Sequence, residues 1–501
     1  MRCKQLLCAA LAALMILSIA ACGDPGETET GVASATESPA DSNETDAESE
    51  AETKETLDLP AQRFEGYELT FLGRDGGEWS TVEIIPEDGS EYVNVSEAVT
   101  TRNEILADKY GFTLNLIKAD TSSFPTKVSQ ENMAPTGDFQ ALAPRMDTAG
   151  SMASQGYLVN LADEDVSQYM DFSKSWWDGK MAQDLAIDGR IYYATGDILT
   201  SDNDGTFALM FNKTIAADIK LPDLYQSVNT GTWTMDQMYN FAQLAKNDKD
   251  GDGKLSYDTD VCGFAYTGDS PYAFVYAGGL RIIQPDEDGE LAYSLDVSRA
   301  SDVAEKAKLL FSKEIAVDMN AASGSIVEVG KKCFGEGHAL FFGECLQCVS
   351  RVRSYDVDFG IIPYPKYDEA QESYGSMMEW VGGVVAIPKS VTGTDRERVA
   401  YCMEAIAYHS VDTLTNLYYD LNLKTKNAKD AESGPMIDLI LASRVYDIAY
   451  TYSLKGVVGN IASTMTSGKK NVASLERASK TSIERGLKEL RKSIDKAEKA
   501  S

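Results

Sequence analysis

The chain has 501 residues, with 46 basic and 78 acidic side chains and a formal net charge of −32 at pH 7. That balance excludes nucleic acid as an expected partner, because affinity there comes from Lys and Arg neutralising phosphates; two histidines leave little scope for His-based catalysis. Hydrophobic residues make up 43 %, ample for packing, and the length exceeds one ordinary core, so two or more lobes are expected.

The chain opens with Arg2 and Lys4, then an apolar run from Leu6 to Ile19 broken only by Cys8 and Ser18. A charged start, a short apolar run and small residues read as a secretory signal, too short and wrongly flanked to span a membrane. Ile19-Ala20-Ala21-Cys22 resembles the bacterial lipobox. The resemblance implies a signal peptide over 1–21, cleavage before Cys22, and a diacylglycerol on its sulfur holding the chain on the outer face of a membrane. An ordinary signal peptide with a coincidental Cys is the alternative. From Asp24 to Asp58 there are twelve acidic residues and one Lys, with almost no large apolar side chain. Such a segment cannot bury enough surface to offset chain entropy, so 22–58 reads as an acidic, disordered tether. No later run reaches the apolar length of a membrane span.

Strand and helix then alternate. Gly66 to Leu72 reads as a strand leading into a Gly-rich loop, Gly73 to Trp79. A helix from Val95 to Tyr110 stops at Gly111; strands follow at Thr113–Ile117 and Phe139–Ala143, the last ending at Pro144-Arg145. Ile191–Ala194 reads as a further strand. Met235–Leu244 is a helix capped by Thr234, with Met238, Phe241 and Leu244 on one face. Asp395–His409 is another, with Thr394 and Glu397 at capping-box spacing and Val399, Met403, Ile406 and Ala407 inward. Val472–Ala500 is a basic amphipathic helix striped by Leu475, Ile483, Leu487, Leu490 and Ile494. The alternation predicts an α/β fold with ligand loops at the carboxyl ends of strands.

Five segments, in order, resemble the extracellular solute-binding proteins of ABC importers, in particular the large sugar-binding group. They are Phe211-Asn212-Lys213-Thr214, Leu221-Pro222-Asp223, Thr232-Trp233-Thr234-Met235-Asp236, Phe334 to Phe341, and Gly382 to Lys389. His338, Leu340, and Met377-Met378-Glu379 before Gly382 depart from the group's usual residues. The resemblance implies a two-lobe, type II periplasmic-binding-protein-like fold with a hinge. Lobe one would be 60–205 plus 380–440 and lobe two 206–379 plus 441–501, with the ligand in the cleft between them. It also implies a non-enzymatic, monomeric receptor that delivers a carbohydrate, foremost an oligosaccharide, to the importer's permease subunits. A secreted hydrolase and a surface adhesin are the alternatives; no G-x-S-x-G or H-E-x-x-H motif supports the former.

Aromatic faces suit pyranose rings, with polar groups holding the hydroxyls. Trp79, Trp177 and Trp380 are candidate cleft rings, with core packing as the alternative. Asp75, Glu78, Arg145, Asp147, Asp197 and Asp202 follow expected strands and are candidate polar contacts; Tyr272 and Tyr276 are candidates from lobe two. Asp248, Asp250 and Asp252, with Gly253 at position 6, match the start of a calcium loop. Lys254 would offer its carbonyl. Position 12 is Thr259, flanked by Asp258 and Asp260, so the last ligand would need a shifted geometry. A structural Ca2+ is expected there; an acidic surface turn is the alternative. Five cysteines follow Cys22: Cys262, Cys333, Cys345, Cys348 and Cys402, an odd number that cannot pair completely. Core thiols, a local Cys345–Cys348 disulfide and a zinc site remain open, although zinc would have only His338 and His409 as further imidazoles.

Overall fold

A computed structural model describes residues 55–87, 93–321, 326–417, 432–452, 454, 456–467 and 471–499. The signal segment, Cys22 and the tether up to 54 lie outside the described residues. Glu55–Ser501 forms one compact unit. The body begins before Asp58: Glu55 accepts a hydrogen bond from the Ser175 amide at 2.9 Å, and Leu57 and Leu59 pack on the first core.

The first sheet is three-stranded and parallel, in the order β2-β1-β3, built from β1 (Tyr67–Asp75), β2 (Phe112–Asp120) and β3 (Ala141–Ala143). β1 runs on through Gly73-Arg74-Asp75, residues expected in a loop, because Gly73 pairs with both Lys118 and Ala143. The position is tight: a Cβ on Gly73 would lie 2.6 Å from the end of the Leu116 side chain and 3.0 Å from Thr81 Cβ. The helix Val93–Tyr110 covers this sheet and stops at Gly111, whose φ of 77° suits glycine.

The second sheet draws on β4 (Phe207–Asn212) and β5 (Cys262–Tyr266). After a hairpin of β6 (Ile283–Pro285) and β7 (Leu291–Tyr293) come its remaining strands, β8 (Ala316–Asp318), β9 (Ala339–Cys345) and β10 (Phe359–Ile362). Its order is β10-β4-β9-β5-β8, with β5 parallel to β8 and β9, and β4 antiparallel to β9 and β10. A short parallel pair, β11 (Ser376–Met377) and β12 (Arg444–Val445), joins two distant segments. Val385 and Ala386 then bridge back to Ala194 and Leu142 beside the first sheet.

The helices follow the sequence with three differences. Met235–Ala245 is capped by Thr234, whose hydroxyl accepts from the Gln237 amide, but its inward face is Met238, Phe241, Ala242 and Ala245. Leu244 is therefore 62 % exposed. Gly393–Ser410 starts two residues earlier than its expected box, so Thr394 lies inside it and Thr392 stands at its cap without a side-chain bond. Ile191–Ala194 forms no strand, only the single bridge from Ala194. The last helix, Val472–Lys499, buries Ile483, Leu487, Leu490 and Ile494 against the helices Val457–Ser467, Val297–Leu310 and Met146–Ser154. No helix among the described residues is long and apolar enough to cross a membrane.

Candidate functional site

Strand ends bring the site together. At the end of β1, Asp75 is exposed and the Arg74 guanidinium lies 5.8 Å from the Trp79 ring centroid. Arg74 donates to the carbonyls of Trp79 and Val381. β3 ends at Ala143, and the chain turns through Pro144-Arg145 into the helix Met146–Ser154. Arg145 grips Asp147 with two parallel bonds, Nε to Oδ1 at 3.0 Å and Nη2 to Oδ2 at 2.9 Å, the planar fork that guanidinium and carboxylate share.

From the second sheet, β5 ends at Tyr266 and the helix Ser270–Ala277 presents Tyr272 and Tyr276. The β11–β12 pair places Glu379-Trp380 beside the short helix Ile448–Thr451. Trp380 stacks on Tyr450 with centroids 6.1 Å apart and planes 18° apart. Tyr272 and Tyr276 meet Tyr450 at 6.0 and 6.1 Å, and the Arg145 guanidinium lies 5.9 Å from the Trp380 centroid. The Asp147 and Met146 amides donate to the carbonyls of Trp380 and Gly382, which fixes the aromatic ring relative to the Arg145–Asp147 fork. On its other side the Gly383 amide donates to Ser201 Oγ at 3.1 Å. Trp380 remains 38 % exposed, so one aromatic surface is left for a ligand.

The electrostatics are acidic. Burial, with Asp269 and Glu344 adding repulsion, pushes the Glu379 carboxyl up to about 8, against the Trp380 indole N–H that donates to it at 3.0 Å. Burial alone raises Asp269, and burial pushes Glu344 up to about 7. A cavity of about 720 Å³ opens at Asp147 and Thr148, bounded by Thr451, Tyr452, Gly486 and Leu490. It shares Asp147 with the fork, but Trp380, Tyr450, Tyr272 and Glu379 do not line it.

Of the expected site residues, Asp75, Trp79, Arg145, Asp147, Tyr272 and Trp380 fall at these strand ends and the platform beside them, whereas Tyr276, 1 % exposed, is a core ring packed against Tyr450. The Glu78 side chain lies outside the described residues. Three others are turned inward. Trp177 is 4 % exposed, and its indole N–H donates at 2.7 Å to Glu404, whose other oxygen accepts from Trp176 at 2.9 Å. It is a core ring, not a cleft ring. Asp202 is buried against Arg444 at 3.2 Å, and Asp197 accepts from Thr415 at 2.8 Å. Both line a separate cavity of about 350 Å³ with Trp177, Asp178 and Arg444. The strand at Ile191–Ala194 that Asp197 was expected to follow does not form. Sequence reasoning missed Tyr450, Asp269 and Glu344 as site residues, and passed over Glu379 although it stood in the motif as a departure.

The aspartate loop is tightly self-bonded. Asp248 accepts from the Gly251 and Gly253 amides at 2.7 and 2.9 Å, Asp250 from Asp252 at 3.0 Å, and Asp252 from Lys254 at 2.8 Å. Carboxylate oxygens of Asp248, Asp250 and Asp260 converge within 4.8 Å of one another. Asp260 is fully buried; burial opposes its ionisation, but the Ser256 and Lys249 amides outweigh it and hold the carboxyl below its usual range. The exposed Asp252 and Asp258 stand outside this trio, and Asp258 takes the Ser256 hydroxyl. Cys262, Cys333, Cys345, Cys348 and Cys402 are all buried free thiols, so the local disulfide is not formed. Cys345 and Cys348 also gather with the Glu344 carboxyl, and neither His338 nor His409 joins them.

No family model matches the chain, and no curated protein matches it by sequence. Solved structures match it by fold. The cyclic alpha-maltosyl-1,6-maltose binding protein of Arthrobacter globiformis is 14 % identical with a TM-score of 0.56, over 84 % of this chain and 99 % of that one. The ABC substrate-binding protein of Listeria monocytogenes, solved with cycloalternan, is 13 % identical with a TM-score of 0.52, over 86 % and 98 %. A family 1 extracellular solute-binding protein of Bifidobacterium longum subsp. infantis is 14 % identical with a TM-score of 0.52, over 84 % and 99 %. The fold is that of the two-lobe ABC solute-binding proteins. In this fold the half-exposed Trp380 ring, with Tyr450 and Tyr272, stands beside the Arg145 turn that follows β3.

Proposed function

We propose that the protein is an extracellular receptor that captures a carbohydrate, foremost an oligosaccharide, and delivers it to the permease subunits of an ABC importer. The observation that carries this reading is the half-exposed Trp380–Tyr450 stack beside the Arg145–Asp147 fork. A pyranose lays its C–H face on such rings, while the fork and the flanking carboxyls hold its hydroxyls. Everything here binds and nothing requires a bond to break. The sequence around Cys22 supports a lipid anchor on the outer membrane face, and the chain acts as a monomer in this reading. The convergence of Asp248, Asp250 and Asp260 supports a structural Ca2+, a hard cation for carboxylate oxygens.

Thermal-shift and calorimetric titration of the protein with linear and cyclic gluco-oligosaccharides tests the reading, with product analysis alongside. A saturable shift without product supports the receptor. Cleaved sugar supports the hydrolase instead.

A further inference from the structure

We propose that Glu344, Cys345 and Cys348 form a zinc site, with two thiolates and one carboxylate as its ligands. The site needs nothing from the aromatic platform, so it holds or fails independently of the receptor reading.

β9 is the middle strand of the second sheet and ends at Cys345; the chain turns at Leu346, and Cys348 lies in the short helix Gln347–Val352. Backbone bonds hold this turn: Cys345 pairs with Phe207, and the Leu346 amide donates to the Thr206 carbonyl at 2.9 Å. The Glu344 carboxyl curls forward along the chain, where its Oε1 accepts from the Cys345 amide at 3.0 Å. A carboxylate oxygen of Glu344 and the sulfurs of Cys345 and Cys348 thus lie within 4.8 Å of one another. A point within about 2.8 Å of all three donors therefore exists, against zinc bonds of about 2.3 Å to sulfur and about 2.1 Å to a carboxylate oxygen. Shifts of roughly half an ångström in the three side chains close the site.

All three residues are buried, at 5, 4 and 1 % exposure, and both thiols are free. A buried carboxylate calls for a paired cation or a metal, and among the described residues no Lys, Arg or His forms an ion pair with Glu344. Two thiolates and a carboxylate around Zn2+ leave one negative charge. Arg351 and the buried Lys331 lie within electrostatic reach of Cys348 to meet it. The Thr267 hydroxyl, on a residue 2 % exposed, faces the Glu344 carboxyl and orients it from behind. Sulfur donors select zinc over calcium or magnesium, which take oxygen shells. Neither histidine is needed, because the residue beside the first cysteine supplies the third ligand and water takes the fourth position. The thiols and the carboxyl give up their protons as the metal enters. A Cys345–Cys348 disulfide would use the same sulfurs but leave the Glu344 carboxyl unmatched.

The test uses the whole protein, reduced, stripped by a chelator and refolded with Co2+ or Zn2+, because the ligands are buried. Co2+ is expected to bring thiolate-to-metal charge transfer and the visible bands of a tetrahedral site, and Zn2+ to bleach both. X-ray absorption at the zinc edge should count two sulfur neighbours, with oxygen completing the shell. Glu344→Gln should weaken Zn2+ at least about tenfold while charge transfer remains; Cys348→Ser should diminish the charge transfer. Asp248→Asn, in the aspartate loop, should leave these signals unchanged, which separates the two sites. Metal bound without sulfur neighbours overturns the proposal. So does full charge transfer in Cys348→Ser, unchanged Zn2+ affinity in Glu344→Gln, or no uptake with the thiols joined as a disulfide. If a variant does not fold, the zinc edge of the unaltered protein decides.

Discussion

Trp380 and Tyr450, far apart in the chain, stack with planes only 18° apart, because β11 and β12 pair just ahead of each ring. Trp380 follows Met377 by three residues and Tyr450 follows Val445 by five, so the register Met377↔Val445 sets how the two rings meet. A ligand platform is thus made by backbone pairing at the crossing between segments.

Removing either ring should weaken binding more than folding. Trp380→Ala removes a half-exposed side chain, and a stacking contribution of about 1 kcal/mol predicts roughly a fivefold to tenfold loss of affinity. Calorimetric titration of the best saccharide measures the loss, and the melting temperature should change little. Unchanged affinity would separate the platform from the binding site.

Glu404 should behave in the opposite way. Its carboxyl serves the indole N–H groups of both Trp176 and Trp177. Glu404→Ala leaves two buried donors unsatisfied and should cost about 2–4 kcal/mol. Denaturant unfolding measures that cost, while affinity of the folded fraction stays near the parent's. Loss of affinity without loss of stability would return Trp177 to the binding site.

Acid should stabilise the protein. Burial pushes Glu379 up to about 8, Glu344, Glu404 and Asp197 up to about 7, and Asp202 and Asp447 up to about 6. Unfolded, these carboxyls ionise near about 4. Between that pH and their folded values the native chain holds more protons than the unfolded one, so stability falls as pH rises from about 4 through about 8. Melting curves should shift down by several degrees between pH 5 and pH 8. A flat or rising profile would mean that these carboxyls are ionised inside the fold.

Calcium should add to stability if it fills the aspartate loop. Ligand binding to the native state raises stability by RT ln(1 + [L]/Kd), about 2.7 kcal/mol at a hundredfold excess over Kd. Melting after chelation and after Ca2+ return measures it, and Asp248→Asn should abolish the difference. An equal melting point with and without Ca2+ would leave the loop as a self-bonded turn.

Much of the scaffold was legible because it is local. The stripe of Ile483, Leu487, Leu490 and Ile494, the Thr234 cap and the strand ahead of Gly73 follow from period and capping chemistry within a few residues. Arg145 and Asp147 were legible for the same reason, since a turn after a strand already puts them at its carboxyl end. Leu244, Trp177, Asp197 and Asp202 were misplaced because a sequence does not say which distant surface will cover a side chain.

By itself, then, the chain determined its class, its alternation of strand and helix, and an acidic body with loops at strand ends. Tertiary structure alone decided that Trp177 turns inward to Glu404 and that Tyr450 joins Trp380. The physical reason is range: propensity and capping act over one turn, whereas burial and like-charge repulsion depend on groups that only the folded chain brings within reach.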